Sequence, residues 1–339
     1  MEKPSQSVGE PLFQKIPVVL LSGFLGAGKT TLLNRLLQEE HGQKIAVIVN
    51  EFGSIGIDGK LIIGGTEKIV EMNNGCICCT VRTDLVETLT RLAESKLGMS
   101  GERLDFESVV IETTGLADPV PLIHTFLLDK VVNTCYELSA IVTLVDASHF
   151  TKQRTYLPLV EEQIAFADVV VLNKKDLVSP AELKKLEQDI RTINPFASFC
   201  TAKEGNIPFD ELFTKKFFDA EKVRSEVEAL SHAEHDHLDG IVSVILQTKI
   251  PVEEELLYLW LGKMLDRYGP DILRYKGIVS LAPLQEKRVL QGVHALYTLH
   301  PGGVWKEGEE KETELVFIGR SLEEEWFKKS FAEDVSPLA

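Results

Sequence analysis

The stretch Gly23-Phe-Leu-Gly26-Ala-Gly28-Lys29-Thr30 decides the fold. It satisfies every fixed position of G-x-x-x-x-G-K-[ST]. The apolar run Pro17–Leu21 precedes it and a helical stretch, Lys29–Glu40, follows, so the motif sits at a strand-to-helix turn. Glycines let the backbone curl until successive N–H groups face one anion, and the helix N-terminus adds a favourable dipole. Gly23, Gly26, Ala27, Gly28, Lys29, Thr30 and Thr31 are therefore the candidate phosphate cradle. Lys29 would reach the β- and γ-phosphates, and Thr30 would offer its hydroxyl to Mg2+.

Outward from this turn, apolar runs alternate with helical segments. Lys44–Asn50, Lys68–Met72, Ser108–Glu112, Ala140–Asp146 and Val169–Asn173 read as strands. Val81–Leu97, a segment after Pro119, and Pro180–Thr192 read as helices. Gly53–Thr66 holds five glycines and reads as a mobile loop. Apolar strands separated by helices, without period-two alternation, predict an α/β domain with a mostly parallel sheet covered on both faces. That P-loop NTPase domain spans residues 14–219, after a loose polar tail at 1–13. Residues 220–239 are charged, hold three of the eight histidines and read as an acidic linker. Beyond it, strands at Ile241–Thr248, Gly277–Leu281, Val289–Leu299 and Glu314–Ile318, with helices Val252–Arg267 and Leu322–Phe331, predict a smaller α+β domain over 240–332.

The chain has 339 residues, enough for two domains with cores that need no staples. Its formal net charge of −16 argues against a broad nucleic-acid or anionic-membrane face, since both need basic surface. The longest apolar runs fall well short of the ~20 residues that span a bilayer. The polar N-terminal residues do not read as a signal peptide. Five cysteines, three of them within Cys76–Cys79, do not make a disulfide framework. They point to a reducing, cytoplasmic setting and to thiols kept for chemistry. Cys135 and Cys200 are left as ordinary thiols.

Two further motifs follow strands. Asn173-Lys174-Lys175-Asp176 closes Val169–Asn173. A carboxylate at Asp176 can accept from guanine's ring N–H and exocyclic amine, a donor pair that adenine lacks. Asn173 would brace the loop, and Lys174 would lie along the base plane. Glu112-Thr113-Thr114-Gly115 closes Ser108–Glu112. Glu112 can hold Mg2+ through water and the Gly115 N–H can sense a γ-phosphate, or the carboxylate simply caps a turn.

Gly75-Cys76-Ile77-Cys78-Cys79 puts three thiols within four residues, enough to converge on a soft or borderline metal. Zinc needs a fourth ligand, from Glu51, water or a histidine, and an incomplete set suits transfer better than permanent structure. The other readings are buried small hydrophobes or a redox pair. Glu51 follows a strand end and is a candidate shared by metal and γ-phosphate, or a carboxylate paired to a lysine. Asp58 is a candidate for orienting the attacking water, or a turn former. His232, His235 and His237 can recruit a metal weakly, or merely sit in a solvated linker.

The phosphate loop, Val49-Asn50-Glu51-Phe52-Gly53, the cysteine motif, Glu112–Gly115 and Asn173–Asp176 occur in one order. Together they resemble the CobW-type GTPases, relatives of HypB and UreG. Gln291-Gly-Val-His294-Ala and Leu315-Val-Phe-Ile-Gly319-Arg320 are similar to that family's C-terminal domain. The resemblance implies a GTP-hydrolysing metal chaperone with GTP, Mg2+ and a transition metal, most of all zinc, as its ligands. Nucleotide state would control delivery to a client metalloprotein. Lys29, Asp58 and Glu112 would then serve hydrolysis, and Cys76, Cys78, Cys79, Glu51 and the linker histidines the metal. The alternatives are a non-catalytic GTP-gated adaptor with structural cysteines, and an ATP-dependent kinase or ligase on the same fold. Oligomeric state is not legible.

Overall fold

A computed structural model describes residues 15–38, 42–50, 59–63, 66–72, 80–99, 103–213, 241–282, 286–305 and 308–335. Strand β1 (Ile16–Gly23) lies at the middle of an eight-stranded sheet and is buried along nearly its whole length. Val18 and Leu20 enter one apolar layer, while Val19 and Leu21 enter the layer on the opposite face. A run without alternation is thus explained by two covered faces.

The parallel part of the sheet comprises β2 (Ile45–Asn50), β5 (Ser108–Thr113), β1, β6 (Tyr136–Asp146), β7 (Val169–Asn173) and β8 (Ser198–Thr201), in that spatial order. Two more strands, β3 (Gly59–Ile63) and β4 (Thr66–Met72), extend it antiparallel beyond β2. This corrects the reading of Gly53–Thr66 as a loop at residues 59–63 and at Thr66. The apolar run Leu61–Ile63 pairs with β2, and the glycine count hid it. Helices α1 (Lys29–Gln38), α2 (Thr80–Lys96), α3 (Val120–Leu128), α4 (Lys130–Cys135), α5 (Phe150–Tyr156), α6 (Pro158–Ala165), α7 (Pro180–Ile193) and α8 (Phe209–Phe213) complete the domain. The short elements α4, α5, α6, α8 and β8 were not legible as separate units. Local chemistry sets several boundaries. Ser179 and Glu182 form a reciprocal capping box on α7 with Pro180 in its first turn, and Asp129 caps α4.

The second domain is an antiparallel sheet built from β9 (Ile241–Thr248), β11 (Ile272–Ala282), β12 (Glu286–Val293), β13 (Leu296–Val304) and β14 (Thr313–Arg320). The two-residue strand β10 (Val252–Glu253) joins β11 in parallel. Helices α9 (Glu254–Tyr268) and α10 (Glu324–Asp334) cover one face, with Trp260 wedged among Phe317, Phe327 and Phe331. The stretch Val289–Leu299, expected as one strand, is a hairpin. Its turn is made at His294, which adopts a left-handed φ of 51°, so Val293 pairs with Leu296. Apolar residues continue through the turn and hid it.

The two domains touch through a buried seam. Arg274 and Lys276 of β11 both reach Asp168, and Arg274 also donates to the Phe166 carbonyl. Arg320 of β14 pairs with Glu162 of α6. Ile241, Leu273, Val293 and Ile318 join the first domain's apolar layer around this charge cluster. Among the described residues no helix is long and apolar enough to cross a membrane. The tail 1–13 and the linker 220–239 lie outside the described residues.

Candidate functional site

The loop between β1 and α1 folds around its own lysine. Lys29 Nζ donates to the carbonyls of Gly23 at 2.7 Å and Phe24 at 3.2 Å. Burial lowers the Lys29 pKa from its ordinary value, with the Glu112 carboxylate opposing the shift. Thr30 Oγ1 donates to Glu112 Oε1 at 2.8 Å. Glu112 is only 5% exposed, at the carboxyl end of β5. Parallel strands leave their ligand crevice at this end of the sheet.

Asn173, at the end of β7, ties this loop down. Its Nδ2 donates to the Ala27 carbonyl at 2.8 Å, and its Oδ1 accepts from Gly205 N at 3.1 Å. Gly28 adopts φ 103°, and a Cβ there would lie 2.3 Å from Asn173 Nδ2. Glycine is thus required both by the backbone and by the close approach. Gly115, after β5, packs its backbone on Leu25 of the same loop, where a Cβ would stand 2.4 Å from the Leu25 nitrogen. Gly23 and Ala27 are buried, whereas Gly26, Thr30 and Thr31 open to solvent.

Next to it, Lys174 takes a left-handed conformation, φ 59° and ψ 35°, and Lys174 Nζ donates to Asp146 Oδ2 at 2.7 Å. Asp146 ends β6 level with Asn173. Its other oxygen accepts from the Ser148 N–H at 3.0 Å and the Ser148 hydroxyl at 2.6 Å, and His149 Nδ1 lies 3.1 Å from Oδ2. Burial pushes the Asp146 carboxyl up, but the bonds from Lys174 and Ser148 outweigh it and hold it below the usual carboxylate range. Asp176 stands exposed one short turn further on, 3.9 Å from Lys203. Asp146 was missed in the sequence. Its only signal is that it closes an apolar strand beside Asn173.

Glu51, Asp58, Cys76, Cys78, Cys79, His232, His235 and His237 lie outside the described residues. The chain leaves β2 at Asn50, level with Thr113 of β5, and the segment with the cysteines joins β4 to α2. Among the described residues no group of three or more His, Cys, Asp or Glu is arranged to hold a metal. Cys135 and Cys200 are half-buried thiols. His124 and His294 meet edge to face at the domain seam, with ring centres 6.2 Å apart.

Comparison with known proteins gives the geometry its family. Residues 17–201 match the model of the CobW/HypB/UreG nucleotide-binding domain, and 241–333 match the cobalamin synthesis protein cobW C-terminal domain. The zinc chaperone YjiA of Escherichia coli is 36% identical over 94% of this chain and 98% of its own length. The zinc chaperone CobW of Pseudomonas aeruginosa is 33% identical over 91% of this chain and 89% of its own. The crystal structure of Zn(II)-bound YjiA GTPase from E. coli superposes with a TM-score of 0.72, at 32% identity, over 95% of this chain and 99% of that one. Both domains are matched and the two-domain fold is shared, so the chain belongs to the CobW family of P-loop GTPases.

Proposed function

We propose that this protein is a GTP-hydrolysing metal chaperone that binds a transition metal, zinc before others, and passes it to a client metalloprotein under nucleotide control. The observation that carries this reading is the convergence of Lys29, the Thr30–Glu112 pair and the Asn173 brace at one end of the sheet. It occurs in a chain whose relatives over nearly its full length are named zinc chaperones.

The loop amides and Lys29 bind the phosphates of GTP, an anion that the net charge of −16 would otherwise repel. The hydroxyl and carboxylate at 2.8 Å are hard oxygen donors facing the loop, which fits Mg2+. Thr30 and Glu112 would hold it, Glu112 through water, and when bound it supplies positive charge to the phosphate oxygens. Asp176 accepts from guanine, while Asp146 holds the Lys174 head so that its methylenes can lie along the base. Gly115 N–H reads the γ-phosphate, and Asp58 orients the attacking water. The metal is cargo, taken by Cys76, Cys78 and Cys79 with Glu51 as the shared ligand, and His232, His235 and His237 collect it. The domains run 14–219 and 240–332, with the linker between them.

Support for coupling comes from β2 and β5. Asn50 stands beside Thr113, so the segment beginning at Glu51 starts next to the strand that carries Glu112. One switch element can then answer to two ligands. The test is a zinc-competition titration of the GTP-analogue and GDP forms, on the wild type and on a C76S/C78S/C79S variant. Nucleotide-dependent affinity in the wild type, lost in the variant, supports the reading. Equal affinity in both nucleotide states rejects nucleotide control.

A further inference from the structure

Gly115 is gripped from two sides. On one side its backbone rests on Leu25 of the phosphate loop. On the other, Gln163 of α6 donates its side-chain amide to the Gly115 carbonyl at 3.3 Å and to the Ala117 carbonyl at 3.2 Å. Gln163 is 1% exposed, and its own carbonyl accepts from the Thr143 hydroxyl of β6 at 3.0 Å, which anchors the helix from which it reaches. An amide has two N–H donors, and here each serves a different carbonyl of the same turn. At 3.3 and 3.2 Å the two bonds sit at the long end of the N–H···O range.

The same turn of α6 also holds the second domain. Glu162, the residue before Gln163, pairs with Arg320 of β14. The carbonyl of Phe166, one turn on, accepts from Arg274 of β11. Helix α3, which continues from the Gly115 turn, packs on β12, and His124 meets His294 in the turn that follows β12.

We propose that Gln163 is a positioning residue that sets the Gly115 peptide for the γ-phosphate, and that α6 thereby transmits the nucleotide state to the second domain. This rests on the reading of the phosphate loop as the GTP site. It predicts that Gln163 matters for GTP and not for GDP, since only GTP has a phosphate to engage Gly115. A merely structural glutamine would affect both nucleotides equally.

The experiment uses the full chain and a Gln163→Met variant, which keeps the side-chain length and removes both donors. Affinities for GDP and for a non-hydrolysable GTP analogue, kcat, KM and the melting curve are measured together. The expected result is unchanged GDP affinity, analogue affinity weakened roughly tenfold and a lowered kcat, as for two lost hydrogen bonds. An unchanged ratio of GTP-analogue to GDP affinity in a folded variant overturns the proposal. Hydrogen exchange on the wild type needs no variant. Peptides covering 158–166, 272–282 and 313–320 should change protection between GDP and GTP-analogue forms. A change confined to the phosphate loop and 112–117 overturns the transmission. If the wild type binds neither nucleotide, the GTP reading itself has failed, which is a different result.

Discussion

Thr30 and Glu112 are 82 residues apart in sequence, yet the threonine hydroxyl donates to the glutamate at 2.8 Å. The pair sits where β1 and β5 run side by side and their carboxyl ends meet. Two hard oxygens so arranged, one of them on a buried carboxylate, are more than a turn needs for capping.

Removing the hydroxyl or the carboxylate's charge should therefore be felt through Mg2+. Thr30→Ala and Glu112→Gln are expected to raise the Mg2+ concentration for half-maximal GTP turnover by about 10–100-fold. Titration of turnover with Mg2+ checks this. An unchanged midpoint in both variants would leave the pair a structural contact only.

Asn173→Ala should cost about 1–3 kcal/mol in urea unfolding, because the Ala27 carbonyl and the Gly205 N–H lose a buried partner together. Nucleotide affinity should fall with it, since the phosphate loop loses its brace. Asp176→Asn is exposed and should leave stability alone. It should instead weaken GTP by roughly 100-fold or more and reduce its advantage over xanthosine triphosphate. Equal loss for both nucleotides would count against a base-reading role.

The domain seam makes a pH prediction. Asp168 is largely buried, which pushes its carboxyl up, but Arg274 and then Lys276 more than reverse this and hold it below the usual range. A carboxylate depressed in the folded state adds stability above its unfolded value of about 3.9 and loses it as pH falls through the folded value. Lys276 goes the other way. Burial, with Arg274 beside it, takes its pKa down to about 8 against the pull of Asp168. Its charge thus weakens the fold below about pH 8, and stability should rise from there toward pH 10. Urea melts across pH 3–10 should show both arms, and Lys276→Met should flatten the alkaline one. Asp168→Asn should cost about 3–5 kcal/mol near neutrality by leaving two buried cations facing an amide.

The triple substitution C76S/C78S/C79S should abolish tight zinc binding while GDP affinity stays within twofold, because thiolates and not hydroxyls suit this metal. Equilibrium dialysis with zinc and a fluorescent GDP derivative measures both. Retained tight zinc would move the site away from these thiols.

The fold was legible wherever a motif sat on a strand without alternation. Gly23–Thr30 gave β1, the loop and α1, and Val169–Asn173 was read to the residue. It was illegible where composition misled. Glycines around Gly59–Ile63 hid β3, and apolar residues running through His294 hid the β12–β13 turn. Gln163 and Asp146 carry no spacing signal, since an amide in a helix and an acid after a strand are commonplace. Their meaning lies in partners 28 to 48 residues away. The seam is harder still, for Asp168 and Arg274 lie 106 residues apart and meet only across two domains.

The order of strands has one more consequence. β1 splits the sheet into two wings. The segments bearing Glu51 and the three cysteines leave from β2 and β4 on one wing, while Asn173, Lys174 and Asp146 belong to β7 and β6 on the other. On the proposed reading, cargo choice and base choice draw on separate stretches of chain. A descendant could exchange one metal for another by altering the first wing without rebuilding the second. Under that proposal one phosphate-binding centre is modular, with its two choices made on opposite sides of β1.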